Sequence, residues 1–365
     1  MAFCKDFVWG AASSAYQTEG FPTADGGGES VWDVFCRKPG VIANGEDGSV
    51  ACDGYHRFEE DINLLASLGL GAYRFSLSWA RIDPKGDGRW KEAGLRYYDR
   101  VIDCCLRHGV TPWMTLYHWE LPQALEVGGG WLRRETAEAF ARFAGMMAQH
   151  FGDRVSHFIT LNEPQIVLKL GYCDGIHAPG RRYPLPRLVQ CWKNLMLAHG
   201  LAFRAIRSTA PDAQIGIAST GKLCYPHAPA DEEAARNETF RLTDIDWMFT
   251  HPITLDAACF GHVEPEPGAL SSLMRKISPE DWNIMHAIPD FIGVNSYNGS
   301  EIAADADGWP VYLPRPRGFP CTALKWPVTP EIMEYGYAFL YERYQHPLYV
   351  TECGLSCNDR IYLDG

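Results

Sequence analysis

Two glutamates that each follow a short apolar run are the residues best placed to do chemistry. Glu163 follows the run at 155–161, and Glu352 follows the run at 347–351. A charged residue directly after a buried strand is costly unless the strand delivers it to a site. Two carboxyl groups on one rim can act as proton donor and nucleophile, the pair that hydrolysis of a glycosidic bond requires.

The elements that must position these glutamates alternate between two patterns. Short apolar or β-rich runs predict strands, and segments of helical periodicity between most of them predict helices. Such alternation predicts a parallel sheet with helices outside it. The predicted strands are 7–12, 72–78, 110–117, 155–161, 214–219, 291–296 and 347–351, and the predicted helices are 53–68 with Asp53 as N-cap, 93–106, 136–150, 189–209 and 331–344.

Seven strands suit either an open doubly wound sheet or a closed barrel. No glycine-rich phosphate turn follows the first strand, as a nucleotide-binding open sheet would need. A (β/α)₈ barrel collects chemistry from several strand ends on one rim, which matches the placement of both glutamates. The sequence therefore predicts an α/β protein with a (β/α)₈ barrel, in which the eighth strand and helix are absent before Gly365.

Composition limits the class of protein. The 365 residues are 46 % hydrophobic and carry a formal net charge of −12, which disfavours nucleic acid or an anionic membrane as a partner. The 12 cysteines show no zinc-ligand spacing, and we expect no signal sequence before Phe7. We therefore expect reduced thiols in a cytoplasmic protein without a metal or a membrane span, and no pattern sets an oligomeric state. Tryptophans at segment ends could stack on sugar rings, namely Trp79, Trp119 and Trp326.

Six motifs resemble, in order, those of glycoside hydrolase family 1, the β-glucosidase family. The most extended is FVWGAASSAYQTEG at 7–20. The others are YRFSLSW at 73–79, LYHW at 116–119, NEP at 162–164, GVNSY at 293–297 and TE at 351–352. Because they span nearly the whole chain, we expect one catalytic domain over 1–365, C-terminally incomplete relative to the family.

The resemblance implies a (β/α)₈ barrel that hydrolyses small-molecule β-glycosides with retention and without a cofactor. It assigns Glu163 as general acid/base and Glu352 as nucleophile. The residues that resemble the family's sugar-binding positions are Gln17, His118, Trp119 and Asn162, with Trp326 as platform for the leaving group. Those that resemble the shell around the nucleophile are Arg74, Asn295 and Tyr297.

Some residues depart from the family pattern, and structural roles compete with several assignments. Cys353, Ser296 and Glu120 stand where the family commonly has Asn, Tyr and Asp. Arg74 could serve a structural ion pair, and His118 could be an ordinary core histidine. An open barrel is also expected to expose two strand edges and the apolar faces beside them.

Three functions remain open from the sequence. The first is a retaining β-glycosidase of the β-glucosidase type that releases the terminal non-reducing sugar. The second is a 6-phospho-β-glycosidase, which needs basic partners for a phosphate in a loop beyond Gly365. The third is a non-catalytic glycoside-binding protein of the same fold, disfavoured because both carboxyl groups are present.

Overall fold

Seven parallel strands form the sheet that organises the molecule. The computed structural model of the chain describes residues 3–357. The sheet has the strand order β1-β2-β3-β4-β5-β7-β10 and bends into a nearly closed barrel, which confirms the predicted barrel class. Its strands are β1 Gly10–Ala12, β2 Ala72–Ser76, β3 Thr111–Tyr117, β4 His157–Asn162, β5 Gln214–Thr220, β7 Phe291–Asn295 and β10 Leu348–Glu352.

Helices connect the strands and cover the outside of the sheet. In α5, the buried residues Leu95, Tyr98, Ile102 and Cys105 form one stripe toward the core. Gly109, with φ 71°, then allows the chain to turn from this helix into β3. The helices are α1 Ala15–Thr18, α2 Val31–Cys36, α3 Gly54–Ser67, α4 Trp79–Ile82, α5 Glu92–Arg107, α6 Gln123–Val127, α7 Arg134–Phe151, α8 Pro164–Ile166, α9 Leu185–Thr209, α10 Glu232–Phe240, α11 Pro252–Phe260, α12 Ala269–Met274, α13 Pro279–Met285 and α14 Tyr335–Tyr344.

Shorter elements occupy the connections. The 3₁₀ turns are Ala24–Gly26, Ala43–Gly45, Gly130–Leu132, Pro229–Asp231 and Pro330–Met333, and a π-helix at Val167–Cys173 follows α8. A second sheet joins β6 Cys224–Pro226, β8 Ser300–Ala304 and β9 Pro310–Tyr312. The sequence did not predict this sheet, because strands of three to five residues inside long connections show too little periodicity.

Two local predictions were wrong, and a third is correct only in part. Asp53 stands at the predicted N-cap position of α3, but its backbone is left-handed and its side chain does not cap the helix; its carboxylate instead contacts His56 Nδ1 at 2.6 Å. The segment predicted as one helix from 331 is a 3₁₀ turn followed by α14, which starts at Tyr335. The first strand covers only Gly10–Ala12, because the apolar residues before it lie on the surface instead of in the sheet.

β1 and β10 are the two end strands of the barrel sheet. Within residues 3–357 neither has a strand partner on its outer edge. The apolar side chains beside these edges are exposed: Val8 by 63 %, Trp9 by 53 % and Val350 by 47 %. The expected exposure of edges and apolar faces is therefore present in the described part of the chain.

Candidate active site

The end of β4 delivers one of the two glutamates. Asn162 is the last residue of this strand, and its pairing with β5 shifts register between Ile159 and Asn162. Glu163 then adopts a left-handed backbone with φ 47° and ψ 62°, directly before Pro164 opens α8. This conformation is strained for a non-glycine residue, and it persists only where surrounding contacts hold it. The turn aims the Glu163 carboxyl group inward, with the residue 5 % exposed.

The end of β10 delivers the other glutamate to the same rim. Glu352 is the final residue of β10 and lies opposite Asn295, the final residue of β7. Here too the register shifts, between Val350 and Glu352. Such irregularities re-aim side chains at strand ends. Because all seven strands run parallel, both glutamates lie at the carboxyl-terminal rim of the barrel.

A chain of hydrogen bonds joins the two carboxyl groups. Arg74, inside the barrel on β2, donates from Nη1 to Glu352 Oε1 at 2.7 Å and from Nη2 to Asn162 Oδ1 at 2.5 Å. Asn295 Nδ2 donates to Asn162 Oδ1 at 3.0 Å and to Glu163 Oε1 at 2.9 Å. The guanidinium and the two amides therefore fix the two acids relative to one another across the rim.

The pKa values of the two glutamates are shifted in opposite directions. Burial raises the pKa of Glu163 to about 8, and the negative charge of Glu352 adds to this rise. Burial also acts to raise the pKa of Glu352, but the charge of Arg74 and the hydrogen bond from Tyr297 to Oε2 at 2.6 Å help to outweigh it, so this pKa is lowered. At neutral pH the site therefore holds a protonated Glu163 beside an ionised Glu352.

His118 and Trp119 extend the site from the end of β3. Asn162 Oδ1 already accepts from two donors, so its Nδ2 is the group that donates to His118 Nε2 at 3.2 Å. Nε2 is then an acceptor, which places the imidazole proton on Nδ1. Burial lowers the pKa of His118 to about 4, so the ring is neutral. Trp119, with φ 74°, donates from Nε1 to the Asn162 carbonyl at 3.0 Å.

The remaining predicted residues are less tightly connected. Gln17 lies on α1, just after β1, and its side-chain oxygen accepts from Ser14 Oγ at 2.7 Å. Trp326 is 40 % exposed and stands edge-on to Tyr297, with ring centroids 5.5 Å apart. Trp79 cannot stack on a sugar: it is 1 % exposed and packs against Phe143, so this part of the prediction was wrong.

Sequence reasoning missed three threonines that support the site. Thr115 Oγ1 accepts from Arg74 Nε at 2.9 Å, and Thr351 Oγ1 donates to Asn295 Oδ1 at 2.6 Å. Thr220 Oγ1 donates to the Asn295 carbonyl at 3.2 Å. Their signal was a polar residue within an apolar run that predicts a strand, because such a residue must find a hydrogen-bonding partner if the strand buries it.

Residues 3–357 contain neither a metal-binding cluster nor a helix able to span a membrane. No three His, Cys, Asp or Glu side chains in residues 3–357 converge on a possible metal position. None of the helices in that range combines the length and apolar character that crossing a membrane demands.

The fold and the paired acids define a class of barrel enzymes that cleave glycosidic bonds. A model of the glycosyl hydrolase family 1 matches residues 1–363. The chain belongs to this family and is a glycoside hydrolase.

Relatives and solved structures agree with this assignment. The chain is 39 % identical to beta-glucosidase A of Thermotoga maritima, over 100 % of this chain and 80 % of the relative. It is 34 % identical to an aryl-phospho-beta-D-glucosidase of Bacillus subtilis, over 99 % of this chain and 80 % of the relative. A solved beta-glucosidase from Thermotoga maritima in complex with castanospermine superposes with a TM-score of 0.88 at 37 % identity, covering 100 % of this chain and 81 % of that one.

Proposed function

We propose that the chain is a retaining β-glucosidase in which Glu163 is the general acid/base and Glu352 the nucleophile. The observation that supports these roles is the Arg74–Asn162–Asn295 hydrogen-bond chain, which ties the two acids together. Burial and the charge of Glu352 raise the pKa of Glu163, whereas the charge of Arg74 helps to lower the pKa of Glu352. A neutral acid beside an ionised one is the arrangement that glycosyl transfer to an enzyme carboxylate requires.

In the first step Glu352 attacks the anomeric carbon. A carboxylate oxygen forms a bond to this carbon as the bond to the leaving oxygen breaks, and Glu163 gives its proton to the departing oxygen. Arg74 and Tyr297 hold the attacking group in place through one bond to each of its oxygens. Charge-assisted hydrogen bonds of this kind contribute about 1.5–3 kcal/mol each.

The second step returns Glu352 to its ionised form. Formation of the glycosyl ester removes the negative charge that helps to raise the pKa of Glu163. Glu163, now a carboxylate with a lower pKa, takes a proton from water as the water oxygen attacks the anomeric carbon. The ester bond breaks and the sugar leaves with its original anomeric configuration.

The residues around the two acids form the sugar site in this proposal. Asn162, adjacent to Glu163, bonds the sugar 2-hydroxyl, an interaction that strengthens in the transition state. His118, Trp119 and Gln17 contact the remaining hydroxyls and the ring face. Trp326, exposed beside Tyr297, offers an aromatic platform for the leaving group.

The wider assignments follow from the same proposal. The chain acts as one catalytic domain on small β-glycosides, without a cofactor. All twelve cysteines lie within residues 3–357 and are unpaired there, and we place the chain in a reducing compartment such as the cytoplasm.

Stereochemistry tests the proposed function. The chain is incubated with p-nitrophenyl β-D-glucoside, and the first-formed sugar is observed by proton NMR before it mutarotates. The proposal predicts β-D-glucose as the first product; α-D-glucose would overturn the retaining mechanism. The matched substrate is p-nitrophenyl β-D-glucoside 6-phosphate. A higher kcat/KM on this substrate than on the plain glucoside would support the 6-phospho-β-glycosidase alternative, which the relatives do not favour.

A further inference from the structure

A buried polar cluster lies directly behind the turn that holds Glu163. Gln165, two residues further along, is completely buried. Its Nε2 donates to Ser219 Oγ at 2.8 Å and to the Thr250 carbonyl at 3.3 Å. Ser219 Oγ in turn lies 3.0 Å from His251 Nδ1, and both residues are completely buried. The cluster thus links α8, β5 and the turn before α11.

The orientation of the Gln165 amide follows from its partners. A backbone carbonyl can only accept a hydrogen bond, so the amide nitrogen must face Thr250. Both N–H groups are then used, and among the described residues Gln165 Oε1 and His251 Nε2 have no partner. Burying polar groups with part of their capacity unmet is costly. Packing alone would be served better by an apolar side chain at position 165.

The buried polar cluster holds the strained turn at Glu163 in place. The Glu163 N–H donates to the Ala218 carbonyl at 2.8 Å, and the Gln165 side chain is bound to the next residue of the same strand, Ser219. Both sides of Glu163 are therefore tied to β5. Without these ties the left-handed backbone, with φ 47°, could relax to a more favourable conformation.

The turn at 250–251 is itself fixed against Gly221, the residue that follows β5. A Cβ atom at Gly221 would lie 2.7 Å from the His251 backbone nitrogen and 2.8 Å from the Thr250 carbonyl carbon. Only glycine allows this approach, which brings the Thr250 carbonyl and the His251 ring to Gln165 and Ser219. Three segments are thus locked together at the acid, whereas the contacts that hold Glu352 come from Arg74 and Tyr297.

We propose that Gln165 is a positioning residue for proton transfer by Glu163, with Ser219 and His251 holding its amide in place. This inference rests on the proposed role of Glu163 as acid/base. A misplacement of about 1 Å can cost on the order of 10²-fold in rate, because the proton must move along an aligned hydrogen bond. Loss of the Gln165 contacts should therefore slow the steps that need this proton and spare those that do not.

The test is the dependence of rate on the leaving group. Gln165→Met keeps the size of the side chain and removes its hydrogen bonds. For phenyl β-D-glucoside, whose departure needs the acid, kcat/KM should fall about 10- to 100-fold. For 2,4-dinitrophenyl β-D-glucoside, whose departure does not, kcat/KM should stay within about threefold. Added azide, which attacks without a base, should raise kcat of the variant on the dinitrophenyl substrate.

A purely structural role predicts a different pattern. Fewer folded molecules would lower kcat/KM for both substrates by one common factor, without azide rescue, and this result or unchanged kinetics would overturn the proposal. Ser219→Ala removes one partner of the amide and should give the same pattern with a smaller amplitude, so it provides the answer if Gln165→Met does not fold. Gln190→Met is the matched control, because Gln190 lies on α9 and bonds Asn194 there.

One reference variant separates this inference from the proposed function. Glu163→Ala should show the leaving-group pattern at its full amplitude. If Glu163→Ala shows it while Gln165→Met and Ser219→Ala keep wild-type behaviour, the positioning role is wrong and the proposed function stands. If Glu163→Ala itself lacks the pattern, the acid/base assignment is wrong and the inference fails with it.

Discussion

The ends of β4 and β10 present the same side chain in opposite ways. At the end of β4, the Glu163 carboxyl group accepts a hydrogen bond from the neutral Asn295 amide, and burial keeps it protonated. At the end of β10, Glu352 bonds a guanidinium and a phenol, which keep it ionised despite burial. The comparison shows that the identity of the residue does not set its role. Its burial and the charges that neighbouring strands place beside it set that role.

The largest change should come from the β10 side. Glu352→Ala removes the only group proposed to form a bond to sugar carbon, so kcat should fall by about 10⁴-fold or more. The measurement is release of p-nitrophenol from the aryl glucoside by the wild type and the variant. Glu126→Gln is the control, since Glu126 is a buried carboxylate that bonds Tyr172 and Arg181 and neither of the two acids. Turnover of Glu352→Ala near the wild-type rate would remove the nucleophile assignment.

A change on the β4 side should depend on the substrate. Glu163→Gln keeps the hydrogen-bonding shape and removes the transferable proton. For phenyl β-D-glucoside kcat/KM should fall about 10²- to 10⁴-fold, and for 2,4-dinitrophenyl β-D-glucoside it should change little. Steady-state kinetics on both substrates provide the comparison. An equal loss on both would mean that Glu163 does not supply the proton.

The pH dependence of kcat/KM should report the protonation states of both glutamates in one experiment. Activity needs Glu163 protonated, so kcat/KM should fall tenfold per pH unit above about 8. It also needs Glu352 ionised, and the lowered pKa of that residue places the acid limb below the ordinary glutamate range. In Glu163→Gln the alkaline limb should disappear while the acid limb stays. An unchanged alkaline limb would assign it to another group.

A smaller effect should follow from weakening the support of Glu352. Tyr297→Phe removes the hydrogen bond to Oε2 and leaves the contact with Arg74 intact. A hydrogen bond to a charged group is worth about 1.5–3 kcal/mol, so kcat/KM should fall about 10- to 100-fold. The acid limb of the pH profile should also move upward, because the ionised form loses a stabilising donor. A profile with an unshifted acid limb would place Tyr297 outside the support of the nucleophile.

Sequence patterns could predict the barrel and the rim because both follow from short-range rules. Alternating strands and helices predict a parallel sheet, and parallel strands gather their carboxyl ends on one side. Glu163, Asn162 and Glu352 follow directly, since each stands at the end of an apolar run. The resemblance to family 1 added residues that no periodicity could select, such as Gln17 and Tyr297.

The features that escaped prediction depend on contacts between distant segments. Trp79 stands at a strand end like Trp119, but packing against Phe143 buries it in the helix layer. Asp53 occupies the predicted N-cap position, but its backbone is left-handed and its carboxylate contacts His56 instead of capping the helix. The cluster of Gln165, Ser219 and His251 joins residues that lie up to 86 positions apart, the separation between residues 165 and 251. No local pattern could therefore reveal it.

The configuration of azide products tests the central claim most directly. Glu352→Ala and Glu163→Ala are each incubated with 2,4-dinitrophenyl β-D-glucoside and sodium azide, and the glucosyl azide is identified by NMR. The account predicts α-glucosyl azide from Glu352→Ala, where azide takes the place of the carboxylate, and β-glucosyl azide from Glu163→Ala, where azide takes the place of water. The same anomer from both variants, or the reverse pairing, would contradict the division of roles between the two strand ends.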